Sequence, residues 1–491
     1  MMPPRCLGAS LRLCRPGRQR SGSQLYLPVE VQSRAGRSFA TTPCRCELLD
    51  VASLPNRILP QYKENPSGLL SLQWPKPPRN ILILPKLLAP DVTESTVSFA
   101  KHIQGEYPNL RLIFERSVAE SIHEDLPFPV YTSEPAKFPN KIDLVATLGG
   151  DGTILRAASL FSLHEFVPPI LAFSMGSLGF LGEWKFDEYK RAWREVYMSG
   201  SRVAVSDLQG PHTQAAAAGR LDGGGDQIND AWGSVRGKSM GSNRSARVLL
   251  RNRLRVGIYD ASGVNVNEHL IPTSTADLHQ PLPPVPPEDA KSNKRRPSTN
   301  QGPAFHAINE LVIHRGPSPH LAHIDVFVNG HHLTEAVADG LLVSTPTGST
   351  AYSLSAGGSI MHPLVKALLI TPICARSLSF RPLGLPLTSR VSLRLSDKNR
   401  GRDLEVSVDG KRRACIHPGM EIRVEGEVIA PVGDGAWVGD GAWAGGVPCV
   451  IRSPGKGDSE KRGHGVTEDD DGWVGGLNGL LKFNYPFGEE H

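Results

Sequence analysis

The chain has 491 residues, of which 39% are apolar, and it carries 50 Gly, 41 Pro and a formal net charge of +5. This length accommodates two domains with real cores, while the low apolar content and the many Gly and Pro residues indicate that part of the chain is unstructured. The small charge gives no argument for nucleic acid binding, and no run is long and apolar enough to span a membrane. The seven cysteines lack zinc-ligand spacing, so we interpret them as reduced thiols.

The first segment, residues 1–48, is predicted to be a mitochondrial transit peptide and leader. Residues 1–29 contain no Asp or Glu but include five arginines, and Ser38-Phe-Ala-Thr-Thr42 follows. An Arg-rich, Ser-containing, acid-poor leader without an apolar signal core is typical of a transit peptide. A plain disordered tail and a basic arm for nucleic acid are the alternatives. The leader therefore predicts a location in the mitochondrial matrix.

The next segment, residues 76–195, predicts an α/β domain. A helical pattern over 91–107 and a helix that begins after Gly149 alternate with short apolar runs. We predict strands at 80–85, 111–114, 142–148 and 169–173. Strands that alternate with helices imply a parallel sheet with helices on its faces. Ligands of such sheets bind at the carboxyl ends of the strands.

The segment 196–435 predicts a β-rich domain, because the apolar period changes to 2 after about residue 240. The run Arg247–Tyr259 partly alternates basic and apolar residues. We expect its arginines to line a solvent face or a subunit contact. Asn-Gly at 329–330 and Asp-Gly at 409–410 each predict a hairpin.

Three further segments have unusual composition. Residues 207–231 and 274–303 lack a periodic apolar face and are predicted to be flexible insertions. Residues 436–491 combine a low-complexity stretch, rich in Gly and charge, with a more apolar ending at 473–487. We expect that ending to dock on the folded part of the chain.

Gly149-Gly-Asp-Gly-Thr153 is a candidate phosphate-binding loop, because it follows a predicted strand and begins a helix. Its glycines let the backbone approach phosphates, and the helix N-terminus points at the anion. Asp151 could accept a proton from an alcohol, which is typically worth roughly 10²- to 10⁴-fold in rate. It could instead offer a hard oxygen to Mg²⁺. A plain Asp-Gly turn between a strand and a helix is the structural alternative.

A second loop, from Asp339 to Gly358, joins an acid to closely spaced Gly, Ser and Thr residues. Such a loop brings backbone N–H groups and small hydroxyls close to a polar ligand. Upstream, Asn309 and Glu310 lie within an apolar strand pattern, where burial without partners is costly. They could bind ribose hydroxyls or mark a solvated strand end. Two such loops suggest a nucleotide site built from two parts of the chain, and we name no metal-binding residue.

Together these motifs resemble the NAD kinase family over about residues 76–435. Thr345-Pro-Thr-Gly-Ser-Thr-Ala-Tyr352 is the most specific of them, whereas Gly-Gly-Asp-Gly-Thr is shared with diacylglycerol kinase, sphingosine kinase and phosphofructokinase relatives. The leader and the ending at 473–487 further resemble fungal mitochondrial NADH kinases. The other matching motifs are Gly176-Ser-Leu-Gly-Phe180, Ser377-Leu-Ser-Phe-Arg-Pro382 and Val408-Asp-Gly410.

The resemblance implies transfer of the γ-phosphate of ATP to the 2′-hydroxyl of the adenosine ribose of NAD(H), with Mg²⁺ or another divalent cation. It implies a Rossmann-like α/β domain, then a β-sandwich-like all-β domain, with a C-terminal segment that returns to the first domain. The family usually forms homo-oligomers, so we expect a dimer or tetramer.

The resemblance also assigns roles to residues. Asp151 would be the base for the hydroxyl, Asn309 and Glu310 would hold ribose hydroxyls, and Asp339 would contact the nicotinamide end. Asp409 would lie near the ribose or the phosphates. The full set of implied nucleotide-binding residues is Gly149, Gly150, Gly152, Thr153, Phe180, Asn309, Glu310, Asp339, Thr350, Ala351, Tyr352, Ser355 and Asp409.

Two other functions fit part of the pattern. A lipid kinase of the diacylglycerol or sphingosine type would share the glycine loop, but the loop Thr345–Tyr352 argues against it. A module that senses NAD(H) without phosphoryl transfer would not need Asp151. The sequence does not choose between NAD and NADH, because residues 359, 361 and 372–376 depart from the usual family pattern.

Overall fold

The computed structural model describes residues 47–107, 109–176, 179–182, 184–200, 245–267, 303–401, 403–431, 440–441 and 443–453, together with residues 473, 477 and 481. The leader up to residue 46, the insertion 207–231, the insertion 274–303 apart from Pro303, and residues 454–472 lie outside this part of the chain. The described residues form an α/β region followed by a pair of antiparallel sheets. This is the predicted fold class.

A twelve-stranded sheet forms the centre of the α/β region. Its order is β1-β6-β5-β4-β7-β8-β26-β10-β3-β2-β24, with β9 beside β8, and every pair from β1 to β26 is parallel. The strands are β1 (Leu48–Asp50), β2 (Gln61–Glu64), β3 (Leu70–Gln73), β4 (Asn80–Pro85), β5 (Arg111–Phe114), β6 (Val130–Thr132), β7 (Leu144–Leu148), β8 (Ile170–Ser174), β9 (Trp184–Lys185), β10 (Arg247–Arg251), β24 (Asp440–Gly441) and β26 (Val447–Val450).

Within the described ranges, four helices pack against this sheet: α1 (Pro90–Glu106), α2 (Arg116–Ile122), α3 (Asp151–Ser159) and α4 (Tyr189–Tyr197). Pro90 begins α1, where its missing N–H needs no partner. One face of α1 buries Val92, Phe99 and Ile103 against the core. The strands β4, β7 and β8 are buried throughout, as expected for parallel strands covered on both faces. Of the helices in the described part of the chain, none is long and apolar enough to cross a membrane.

Two six-stranded antiparallel sheets follow, ordered β12-β11-β22-β19-β14-β15 and β18-β17-β16-β13-β20-β21. Alternate apolar residues of both sheets form a shared core. The strands of the first are β11 (Leu254–Tyr259), β12 (Phe305–Ala307), β14 (Ala322–Val328), β15 (His331–Ala338), β19 (Val391–Leu395) and β22 (Glu421–Gly426). Those of the second are β13 (Glu310–His314), β16 (Gly340–Ser344), β17 (Ala367–Ile373), β18 (Leu383–Pro386), β20 (Leu404–Val408) and β21 (Lys411–Ile416). A small pair, β23 (Ala430–Pro431) and β25 (Trp443–Ala444), lies outside them.

Both predicted hairpins are confirmed. Asn329-Gly330 joins β14 to β15, and Asp409-Gly410 joins β20 to β21. All four turn residues have positive φ, between 49° and 84°. Such turns match the twist of the flanking strands, which is why Asn-Gly and Asp-Gly predict hairpins.

The run Arg247–Tyr259 does not form one strand of the β-rich half. Its first part is β10, which pairs with β26 and β3 in the α/β sheet, and its second part is β11 of the sandwich. The prediction that its arginines line a solvent face or a subunit contact is wrong for Arg251 and Arg253, which are 2% and 1% exposed. The chain passes between the two regions at this point, so both side chains are enclosed by them.

The chain returns to the α/β sheet through β26, which lies parallel to β8 and antiparallel to β10. Just after β26, Arg452 forms an ion pair with Glu188 at 2.8 Å, at the start of α4. Farther along, the ring of Trp473 lies 4.7 Å from that of His362 in the sandwich. The segment after β25 therefore contacts both regions.

Candidate active site

Asp151 lies at the carboxyl end of β7, as the first residue of α3. Its carboxylate accepts two backbone hydrogen bonds from the loop after β8: Oδ2 from the N–H of Phe180 at 2.9 Å, and Oδ1 from the N–H of Leu181 at 3.1 Å. These bonds hold the carboxylate at the edge of the sheet where ligands of α/β folds bind. The loop after β8 thus orients Asp151.

The glycines beside Asp151 have two different surroundings. A Cβ at residue 179 would lie 2.1 Å from Asp151 Oδ1, and a Cβ at residue 149 would lie 2.3 Å from Thr153 Oγ1. Only glycine permits this close packing. A Cβ at Gly150 or Gly152, in contrast, would meet no atom within 4 Å. The backbone at these two residues is therefore open to an approaching anion at the start of α3.

Asn309 and Glu310 lie at the start of β13 and are 6% and 7% exposed. The alternative of a solvated strand end is therefore wrong. Within the described residues, Asn309 Oδ1 and Glu310 Oε2 have no hydrogen-bond partner. An unsatisfied buried polar atom costs about 1–3 kcal/mol. These two oxygens are thus available to form hydrogen bonds with a ligand.

Asp409 positions this pair through the main chain. Its carboxylate accepts the N–H groups of Ile308, Asn309 and Glu310 at 2.9, 2.8 and 3.2 Å. Burial raises the pKa of Asp409, and the three amides oppose that rise. Asp409 itself has a φ of 49°, because it occupies the hairpin turn before β21. The turn brings the Asp409 carboxylate against the start of β13, where Asn309 and Glu310 carry the two unpartnered oxygens.

The Thr345–Tyr352 loop packs directly on Asn309. Thr345 Oγ1 donates to the carbonyl of Ile308 at 2.6 Å and accepts the N–H of Gly348 at 3.1 Å. A Cβ at residue 348 would lie 2.2 Å from the carbonyl oxygen of Asn309. A short 3-10 helix, Thr347–Thr350, and helix α5, Tyr352–Ser355, follow.

Four further residues to which the resemblance assigns nucleotide binding are at least partly accessible. Thr350 and Ala351 are half-buried, whereas Ser355 is exposed and Tyr352 is 40% exposed. Their side chains therefore lie where a ligand could reach them from solvent. Their contacts with a nucleotide stay predictions.

Asp339 lies apart from this group. It precedes β16, whereas Thr345 follows that strand, so the two are about 20 Å apart along an extended chain. Arg315 Nε donates to Asp339 Oδ1 at 2.6 Å, forming an ion pair. Arg315 has no motif signal, and sequence reasoning missed it.

Arg251 is the second residue that the sequence analysis missed. Its Nη2 donates to the carbonyl of Phe180 and its Nη1 to Thr347 Oγ1, both at 3.4 Å. The guanidinium therefore lies between the loop that orients Asp151 and the turn that packs on Asn309. An alternating strand pattern cannot distinguish such a side chain from a solvated one.

The chain is similar to known proteins in both sequence and structure. Models of the ATP-NAD kinase N-terminal and C-terminal domains match residues 95–201 and 308–427. The mitochondrial NADH kinase of Schizosaccharomyces pombe is 35% identical over 446 residues, which cover 89% of this chain and 85% of that protein. The chain belongs to the ATP-NAD kinase family. The mitochondrial NADH kinase of Saccharomyces cerevisiae is 32% identical over 440 residues, covering 86% of this chain and 84% of that protein.

A solved member of the family has the same fold. The crystal structure of yeast NADH kinase complexed with NADH aligns with a TM-score of 0.62 and 31% identity, over 91% of this chain and 100% of that chain. The ranges of this chain that the two family models match include Asp151, Phe180, Asn309 and Asp409. Residues 202–307, between the two ranges, match neither model. Arg251 falls in this gap, outside every family motif that the sequence analysis used.

Glu310 gives the kinase-family site a dependence on pH. Burial, followed by the nearby charge of Asp409, raises the pKa of Glu310 from 4.5 to about 8. Between these values the folded protein holds a proton that the unfolded chain has lost. Glu310 therefore contributes stability that is complete below about pH 4.5 and is lost as the pH rises through about 8.

We expect Glu310→Gln to reduce the loss of stability with rising pH, because a neutral amide binds no proton in this range. The measurement is the Tm of the ligand-free protein at several pH values from about 5 to 9. Glu405→Gln, a change at a partly exposed carboxylate on β20, is the control and should leave the profile unchanged. Parallel profiles for the wild type and Glu310→Gln would contradict the prediction.

Proposed function

We propose that this protein transfers the γ-phosphate of ATP to the 2′-hydroxyl of the adenosine ribose of NADH and NAD, giving NADPH and NADP. The main support is the pair of buried, unpartnered oxygens on Asn309 and Glu310 beside the Thr345–Tyr352 loop. Two buried, unpartnered oxygens at adjacent residues, one on an amide and one on a carboxyl group, suit a ligand with neighbouring hydroxyls such as a ribose, because a hydroxyl both donates and accepts hydrogen bonds. The mitochondrial NADH kinases with which the chain aligns along most of its length support the same reaction.

In the proposed reaction, Asp151 accepts the proton of the 2′-hydroxyl. The hydroxyl oxygen bonds to the γ-phosphorus of ATP, and the bond between that phosphorus and the leaving ADP breaks. The amides of Phe180 and Leu181 orient the carboxylate. The open backbone at Gly150 and Gly152, at the N-terminus of α3, receives phosphate oxygens. Asn309 and Glu310 hold the ribose so that the 2′-hydroxyl faces Asp151.

We propose that Mg²⁺ enters this site with ATP. Among the described residues, no group of three or more His, Cys, Asp or Glu side chains is arranged to hold a metal ion. Mg²⁺ commonly takes most of its ligands from substrate phosphates and water, so the phosphate oxygens of ATP would hold it here and Asp151 stays available as the base. Bound there, the cation would neutralise charge on the transferring phosphoryl group.

The protein is mitochondrial, and we propose the matrix as its compartment. The acid-free, Arg-rich start of the chain and the mitochondrial relatives support this location. Fusing residues 1–48 to a fluorescent protein tests it. Matrix fluorescence is expected, and cytosolic fluorescence would contradict the role given to the leader.

We also propose a homo-oligomer, a dimer or tetramer. The strands β15 and β18 end their respective sheets, and open strand edges can pair with another chain. Leu333, on β15, and Leu378, in the segment before β18, are 45% and 84% exposed. Light scattering measures the mass, and a monomer at micromolar concentration would contradict the proposal.

The decisive experiment is an assay of protein lacking residues 1–40 with ATP, Mg²⁺ and either NADH or NAD. We expect product from both acceptors, with the larger kcat/KM for NADH, as the names of the mitochondrial relatives suggest. Binding without product would instead favour an NAD(H)-sensing module. Phosphorylation of diacylglycerol or sphingosine, but of neither dinucleotide, would favour a lipid kinase.

A further inference from the structure

Arg251 is a buried cation between the two loops of the candidate site. It ends β10, where the chain leaves the α/β sheet, and it is 2% exposed. Among the described residues, its guanidinium donates to a hydroxyl and a carbonyl, and its Nε has no hydrogen-bond partner. Burying a charge without an ionic partner costs stability, so Arg251 is a candidate for a role beyond stability.

The hydrogen bonds of Arg251 connect the two halves of the site. Asp151 Oδ2 accepts the N–H of Phe180, and the carbonyl oxygen of Phe180 accepts a hydrogen bond from Arg251 Nη2. On the other side, Arg251 Nη1 donates to Thr347 Oγ1, in the turn that packs on Asn309. One side chain thus bridges the loop that orients Asp151 and the turn beside the buried acceptor oxygens.

We propose that Arg251 is a positioning residue for phosphoryl transfer. It contacts the loop at residues 179–182, called here the Phe180 loop, and the turn at residues 345–348, called here the Thr347 turn. By holding the two at a fixed separation, it places the bound ribose against Asp151. This inference rests on the proposed function. The turn has its own bonds to the strand of Asn309 through Thr345, so dinucleotide binding does not depend on Arg251. The orientation of Asp151 does depend on it, because the Phe180 loop has an anchor there.

The test compares Arg251→Met, Arg251→Lys and the wild type. A misplacement of about 1 Å can cost roughly 10²-fold in rate, so we expect Arg251→Met to lower kcat by about that factor while the Kd for NADH changes less than threefold. Lysine keeps the charge but cannot reproduce the planar fork that bridges two acceptors. We therefore expect Arg251→Lys to recover less than a tenth of the lost kcat.

A second readout does not depend on catalysis. Hydrogen–deuterium exchange of the amides at 179–182 should become faster in Arg251→Met, because the loop loses an anchor. Arg255→Met is the matched control: Arg255 lies on β11 and pairs with Glu425 at 3.1 Å, away from both loops. Its kcat and its exchange at 179–182 should stay at the wild-type values.

The outcomes separate this inference from the proposed function. If the wild type forms no NADPH or NADP, the proposed function fails, and the exchange experiment still reports on the bridge. If the wild type is active, a kcat of Arg251→Met within twofold of it overturns the inference. A rise in the Kd for NADH that matches the loss of kcat/KM, with kcat unchanged, also overturns it. If Arg251→Met does not fold, Arg251→Lys carries the same comparisons.

Discussion

Replacing Asp151 with Asn is expected to lower kcat by about 10²- to 10⁴-fold, because the amide cannot accept the proton of the attacking hydroxyl. Dinucleotide binding should persist, since the buried acceptor oxygens lie on Asn309 and Glu310. The side-chain oxygen of asparagine can accept a hydrogen bond from only one of the amides of Phe180 and Leu181. The NH₂ group faces the other amide and cannot accept its hydrogen bond. A stability loss of about 1–3 kcal/mol is therefore also expected. Steady-state kinetics with NADH, calorimetric titration and thermal unfolding measure the three effects.

The control for Asp151→Asn is Asp91→Asn. Asp91 also lies in the first turn of a helix that packs on the same sheet, but it is exposed. We expect the control to retain wild-type kcat. A kcat for Asp151→Asn within tenfold of the wild type would remove Asp151 from the role of base. Loss of NADH binding in parallel with activity would instead indicate that Asp151 acts in substrate binding.

Replacing Arg253 with Met is expected to destabilise the protein by about 3–5 kcal/mol, because it leaves a buried carboxylate without its cation. Arg253 Nε donates to Glu427 Oε2 at 2.7 Å and Nη2 to Oε1 at 2.5 Å. Arg253 also donates to the carbonyls of Phe161 and His164, in the segment that follows α3. Arg253 therefore links Glu427 of the sandwich to the backbone of the α/β region. Urea unfolding of the wild type and the variant measures the loss.

Two comparisons test this reading of the Arg253–Glu427 pair. Arg394→Met removes the ion pair with Glu421, in which the arginine side chain is 51% exposed, and should cost at most about 1 kcal/mol. The double variant Arg253→Met/Glu427→Leu should recover part of the stability, because it leaves no unpaired charge. A loss below about 1 kcal/mol for Arg253→Met would show that the pair does not hold the two regions together. Equal stability of the single and double variants would rule out the unpaired carboxylate as the cause.

Much of the fold followed from local patterns. Strand β4 lies at Asn80–Pro85 and helix α1 at Pro90–Glu106, within one residue of prediction, because apolar spacing of 2 or 3.6 reflects which side of an element faces the core. The Asn-Gly and Asp-Gly hairpins followed from residues that tolerate positive φ. The glycine loop around Asp151 was placed correctly at the end of a strand and the start of a helix.

The sequence by itself therefore determined elements such as β4 and α1, the glycine loop around Asp151 and the family, since these depend on residues close together in the chain. It did not determine the second predicted loop, 339–358, which contains strand β16, a short 3-10 helix and helix α5. Only the tertiary structure decided which distant residues meet. Asp409 lies under Asn309, about a hundred residues away, and Arg253 pairs with Glu427 across 174 residues. The alternating pattern around Arg251 and Arg253 predicted a solvent face or a subunit contact. Both arginines are instead buried within the chain, because a buried charge depends on partners that local spacing does not encode.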